Sequence, residues 1–121
     1  MAHVAQFISV LFNSREQAHI FHLQTSSYAK HKALNSYYDG IVDFADDYVE
    51  AYQGKYGILK GYTPQESFFE GDNNVLTYFD HLETFVADAL SKLPDDADLQ
   101  NIAADILHLV HSTQYKLKHL S

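Results

Sequence analysis

The stretch HIFHLQTSSYAKHKALNSYYDGIVDFADDYVEAYQG, residues 19–54, decides the fold. From Ser27 to Gln53 its core positions are Leu34, Tyr37, Tyr38, Ile41, Ala45, Tyr48, Val49 and Tyr52. They recur at the three-and-four spacing of one helix face, where a strand would alternate every second residue. Gln24-Thr25-Ser26-Ser27 supplies turn residues and an N-cap hydroxyl ahead of the run. Gly54 and Gly57 close it, as glycines do at helix C-termini. A long amphipathic helix entered by a short turn is expected.

The pattern extends outward on both sides. Upstream, from Ala2 to Leu23, Val4, Phe7, Ile8, Leu11, Arg15, Ala18 and His22 share one side of a helix. Downstream, a connection from Lys55 to about Asp72 holds Thr63-Pro64-Gln65-Glu66, which reads as a cap, a proline at the first helical position and a short helical turn. A third helix is expected over about Asn73–Leu93, burying Leu76, Phe79, Leu82, Val86, Ala89 and Leu93 and stopped by Pro94. A fourth, capped by Asp95, Asp96 or Asp98, runs to about Leu120 through Leu99, Ile102, Ala103, Ile106, Leu109, Val110, Thr113 and Leu117. Short turns make each successive pair antiparallel neighbours, and the middle connection is long enough to run the length of a bundle. The expectation is a single all-α domain, residues 1–121: two hairpins joined by a long crossover, with a plain up-down bundle and a loose middle loop as the alternative.

Composition narrows the function. With 121 residues, 46% of them hydrophobic, the chain fills one modest core. It has no cysteine, which removes disulfides and thiolate metal sites. Sixteen acids against 8 Lys and Arg give a net charge of −8, which argues against phosphate-driven nucleic-acid binding. No apolar run approaches the roughly 20 residues of a membrane span, and the opening residues read as helix and not as a signal peptide. A cytoplasmic location is expected. Eight His and nine Tyr are many for this length.

The His, Asn and acids of residues 19–54 concentrate imidazole and carboxylate groups that suit iron, manganese or zinc. His22 points inward from the first helix, with His19 on its flank; His31, Asn35, Asp46 and Glu50 share one flank of the second. At about 1.5 Å per residue, His31 and Glu50 stand roughly 28 Å apart, too far to share one ion within a chain. Two antiparallel copies of this helix related by a two-fold axis would pair His31 with Glu50 and Asn35 with Asp46. The axis falls beside Gly40, whose missing side chain allows close approach, with Tyr37 and Tyr38 as neighbouring contacts.

These residues resemble the first two helices of Dps-type miniferritins, members of the ferritin-like family. That resemblance implies a ferritin-like four-helix bundle with a long crossover, and an intersubunit iron site. A His ending the first helix and a His and Asp one turn apart in the second would meet an Asp and Glu of a two-fold mate. His22 (with His19 as competitor), His31, Asn35, Asp46 and Glu50 stand at those places. Asn35 replaces a carboxylate, which weakens a di-iron centre and leaves at most a degenerate ferroxidase-like site, and His22-Leu23 replaces the usual His-Trp. The chain is also similar to short ferritin-patterned proteins of tailed-phage genomes.

Two functions follow as expectations. One is a Dps-like oligomer that binds iron or another divalent metal between copies. The other is a non-enzymatic, phage-type oligomer that binds or sequesters a host protein or small ligand through Tyr28, Tyr37, Tyr38, Phe44, Tyr48, Phe68 and Phe69. Plainer readings exist for each feature: a solvated acidic face for Asp46 and Glu50, a packed core histidine for His22, and simple exposure for His108, His111, Tyr115 and His119. No nucleophile–base pair or phosphate loop is visible.

Overall fold

The computed structural model describes residues 2–65 and 67–120. Four helices form: α1 (Ala2–Gln24), α2 (Tyr28–Tyr56), α3 (Val75–Ala89) and α4 (Ala97–His119). Among the described residues there is no strand, and no helix is long and apolar enough to cross a membrane.

Local chemistry sets the boundaries. Ser27 caps α2, its hydroxyl accepting from the Lys30 amide at 3.2 Å. Gly54 lies inside α2, so Gly57 alone ends it, at φ 91° in the left-handed region where glycine is unstrained. α3 is shorter than expected. A single 3-10 turn, Asp72–Asn74, precedes it, and it ends at Ala89 although Leu93 is still buried. At this end the Gln100 amide donates to the carbonyls of Leu90 and Pro94, and the Leu90 oxygen is one that a helix end leaves over. Asp96 is the N-cap residue of α4 but makes no side-chain cap bond, because Lys55 and Tyr56 of α2 hold its carboxylate. Lys116, Lys118 and His119 close α4, where positive charge favours the dipole.

Contacts fix the directions. α1 packs antiparallel on α2, through Phe7–Tyr48 at one end (ring centroids 5.7 Å) and His22–His31 at the other (3.6 Å). It packs antiparallel on α3 through Phe7–Phe85 and Phe21–Tyr78. α4 runs against α2, with Leu109 on Gly40 and Asp96 on Lys55, and against α3, with Gln114 on Asp80 and His111 on Glu83. α2 and α3 therefore point the same way. The core is one cluster, with Tyr37 and Tyr48 its largest wholly buried side chains. Tyr37 bonds Ser14 through its hydroxyl at 2.7 Å and sets its ring edge-on to Phe79.

Residues 57–65 and 67–71, between α2 and the turn before α3, have no regular secondary structure. The helical turn expected at Thr63–Gln65 is absent; Glu66 lies outside the described residues. The connection lies alongside α1 and is tied to it by polar side chains. Ser9 accepts from the Thr63 amide at 3.0 Å, and Gln17 makes two 2.8 Å bonds to the main chain of Phe69. Gln24 accepts from the Gly71 amide at 2.9 Å. Ser9 and Gln17 are thereby buried, and Ser14 is buried beside Tyr37, which an apolar-stripe reading of α1 did not anticipate. A side-chain amide that both donates to and accepts from one residue's main chain substitutes for a strand neighbour, satisfying backbone groups that would otherwise be orphaned.

Candidate functional site

The turn between α1 and α2 carries a polar cluster. His22 Nδ1 lies 2.9 Å from the carbonyl oxygen of His31, and His31 Nδ1 lies 3.1 Å from the carbonyl oxygen of His22. A carbonyl oxygen only accepts, so both Nδ1 atoms carry hydrogen. The two rings stack with centroids 3.6 Å apart and planes within 23°. His22 is buried and His31 half-buried. Both tautomers are set by the main chain, and Nε2 is the ring nitrogen left for any further partner.

Around the pair, Tyr38 stacks on His19 at 4.6 Å and meets His22 edge-on at 5.3 Å. The Tyr38 hydroxyl donates to the Asn35 amide oxygen at 2.7 Å, and the Asn35 amide nitrogen donates to Asp39 at 3.1 Å. Both functions of the Asn35 amide are thus engaged inside the chain. Asn35 orients its neighbours and offers no free oxygen along its hydrogen-bonded direction.

His19, His22, His31 and Asn35 are therefore brought together, and Asp46 and Glu50 are not. Those two acids are exposed, and helix rise places them about 22 and 28 Å from His31 along α2. Among the described residues, no group of three or more His, Asp or Glu side chains is placed to hold a metal ion. The described residues of one chain fall short of a ligand set, and the stacking of the His22 and His31 rings, 3.6 Å apart and within 23° of parallel, keeps their in-plane Nε2 lone pairs from meeting at one ion.

One interface expectation is corrected. Tyr37 is fully buried in the chain's own core and presents nothing to a second chain. Within the chain, Gly40 meets α4: a Cβ there would stand 3.3 Å from Cδ2 of Leu109. Tyr38 keeps partial exposure beside His19.

Sequence reasoning also missed the acidic clasp at the other end of the bundle. Hydrogen bonds from Lys55 and Tyr56 hold the Asp96 carboxyl below its usual value. The Tyr48 hydroxyl, nearby, is buried without a partner, and burial pushes its phenol up to about 12. His108, His111, Tyr115 and His119 are exposed, with only a 3.6 Å approach of His111 to Glu83 and loose Tyr115–His119 packing. Arg15 sits at the bundle edge and pairs with Glu16.

Fold and site together define an all-helical bundle with an imidazole-rich polar cluster at one hairpin turn. The chain belongs to DUF5856, a family of unknown function whose model matches residues 22–117. No curated protein and no solved structure matches it.

Proposed function

We propose that this chain is a ferritin-like bundle, with residues 57–71 as its crossover, and that it binds a divalent metal ion between two copies. His31 supplies imidazole Nε2 from one copy, its ring held by the stacked His22, and Asp46 and Glu50 supply carboxylates from a second. The observation that carries this reading is the reciprocal bonding of His22 and His31. Imidazoles that hold metals usually have the other ring nitrogen bonded to a carbonyl or carboxylate, which fixes tautomer and orientation. His22 and His31 each have Nδ1 bonded in that way, which supports the reading. Asn35, engaged by Tyr38 and Asp39, acts as a positioning residue, so the site carries one anionic ligand fewer than a di-iron centre and suits a single ion. Iron is the first candidate, and zinc or manganese share the ligand preference. The function proposed is binding; oxidation of Fe(II) is not part of it.

Anaerobic titration with Fe(II), followed by absorbance and equilibrium dialysis, tests the reading. Saturable binding that is lost in His31→Ala and in Glu50→Gln is expected. Glu50 is exposed, so its substitution leaves the fold intact. No saturable binding, or binding indifferent to both changes, overturns it.

A second reading is a non-enzymatic binding protein that takes a partner protein or small ligand on the connection. Ile58, Tyr62, Phe68 and Phe69 are exposed there beside Phe12 of α1, an unusual run of uncovered apolar side chains. Substituting Phe68 and Phe69 together by Ser would abolish partner capture on this reading and leave metal titration unchanged.

A further inference from the structure

The outer groove between α2 and α4 has opposite charge at its two ends. Tyr28, Ala29, Lys32 and Ser36 of α2 and Lys116 and Leu120 of α4 line one depression at the end where α2 begins. Leu109 rests on Gly40 at the middle. Beyond it the same faces carry acids. Asp43 follows Lys32 by three turns on α2, and Asp105 precedes Lys116 by three turns on α4, about 16 Å in each case. Asp47 lies one turn past Asp43, on the side nearer α4. Lys32, Asp43, Asp47 and Asp105 are exposed, and Lys116 is half-buried. Among the described residues none of these five makes an ion pair.

We propose that this groove is a two-fold contact for a second copy of the chain, basic end over acidic end. The register supports it. On α2, Lys32 and Asp47 are equidistant from a point between Asp39 and Gly40. On α4, Lys116 and Asp105 are equidistant from a point between Val110 and His111, within about 2 Å of Leu109 at the helix rise. Since Leu109 and Gly40 touch, both midpoints lie at one level of the groove. A single in-plane axis perpendicular to the helices therefore sets Lys32 over Asp47 and Lys116 over Asp105 at the same time. Self-complementarity of this kind is what an isologous contact requires.

Shape agrees with charge. Ser36, Gly40 and Ser112 leave the middle of the groove low. Tyr28, 75% exposed, would fall over Ala51 of the second copy, and Leu120 near its Ile102; both are half-buried apolar residues. The one like-charge neighbour at the axis is Asp39, whose carboxylate already accepts from Asn35. A two-helix face about 28 Å long and 20 Å wide buries about 1,100 Å² in total, at the small end of specific interfaces, so the contact is salt-sensitive and reversible. This face adjoins the one used by the metal reading and does not depend on it.

Sedimentation velocity of the full chain with chelator present tests the proposal apart from metal. Reversible dimers are expected at low ionic strength, with dissociation at least about tenfold easier at high salt. Lys32→Glu with Lys116→Glu, and separately Asp47→Lys with Asp105→Lys, should each remove the dimer, and an equimolar mixture of the two should restore it. Circular dichroism of each variant confirms folding, and Lys32→Gln with Lys116→Gln should also weaken association. A monomer under all conditions, variants that associate like the parent, or a mixture of folded variants that stays monomeric would overturn it.

Discussion

His22 and His31 hold one another by the main chain: each imidazole donates Nδ1–H to the other's carbonyl oxygen, and the rings stack at 3.6 Å between them. The α1–α2 turn is thus closed by side chains, with only the Thr25-Ser26-Ser27 segment between the helices. Each substitution to alanine removes one hydrogen bond and the shared stacking. His22→Ala and His31→Ala should each cost about 1–2 kcal/mol. The double variant should cost less than the sum by about 0.5–1.5 kcal/mol, since the stacking is lost only once. Urea unfolding of the three variants measures this, and strict additivity would show that the rings do not interact.

Gln17 anchors the long connection. Gln17→Ala should lower stability by about 1–3 kcal/mol, because the Phe69 N–H and C=O lose their partner. Gln17→Glu should be worse, since the carboxylate cannot donate to the Phe69 carbonyl and would be buried with charge. Limited proteolysis should cut within residues 57–71 faster in both variants than in the parent. Unchanged cleavage would mean that the connection is held by its apolar contacts alone.

Gly40 has helical geometry and faces a flexible side chain, so its substitution separates two effects. Gly40→Ala gains about 1 kcal/mol of helix propensity against a 3.3 Å approach to the end of the half-buried Leu109 side chain. The net change should be small or stabilising. Gly40→Leu should destabilise by about 1–3 kcal/mol, because α4 must move. Thermal melts distinguish the two. A large loss with alanine would mean that Leu109 cannot yield.

Acid should loosen the other end of the bundle. Asp96 titrates below its ordinary value of 3.8 in the folded chain, through hydrogen bonds from Lys55 and Tyr56. A carboxyl with a depressed folded value binds fewer protons than in the unfolded chain. Its stabilising contribution is therefore present above that ordinary value and disappears as pH falls through the lowered one. Asp96→Asn should be less stable than the parent at neutral pH, and the two should converge in strong acid. A constant difference across that range would show that the clasp is not electrostatic.

Periodicity exposed the helices because burial of one face is a property of residues three and four apart. The stripe from Leu34 to Tyr52 located α2, and Ser27 and Gly57 bounded it through local backbone chemistry. Ser9 and Gln17 were unreadable by the same rule. They are buried by a segment about fifty residues away, and polar side chains that serve another segment's backbone carry no apolar signal. A clue was present: Ser9, Gln17 and Gln24 recur every seven or eight residues, a polar stripe facing a connection with no secondary structure to satisfy its own amides. At the site, spacing grouped His22 with His31 correctly but could not reveal that each ring grips the other's carbonyl. Nor could it tell whether Gly40 makes room for a second molecule or for Leu109 of its own, since a missing side chain does not say what fills the space.

Because residues 57–71 travel alongside α1 before α3 begins, the first turn of α1 and the last turn of α4 sit at opposite ends of the bundle. In a plain up-down arrangement they would share an end, and tension between them would peel the helices apart contact by contact. Here such tension acts along the helix axes, so the buried faces must slide past one another together, and the load is spread over the whole core. Dyes or fusion partners attached at these two points would stand about 35 Å apart, the length of a 23-residue helix.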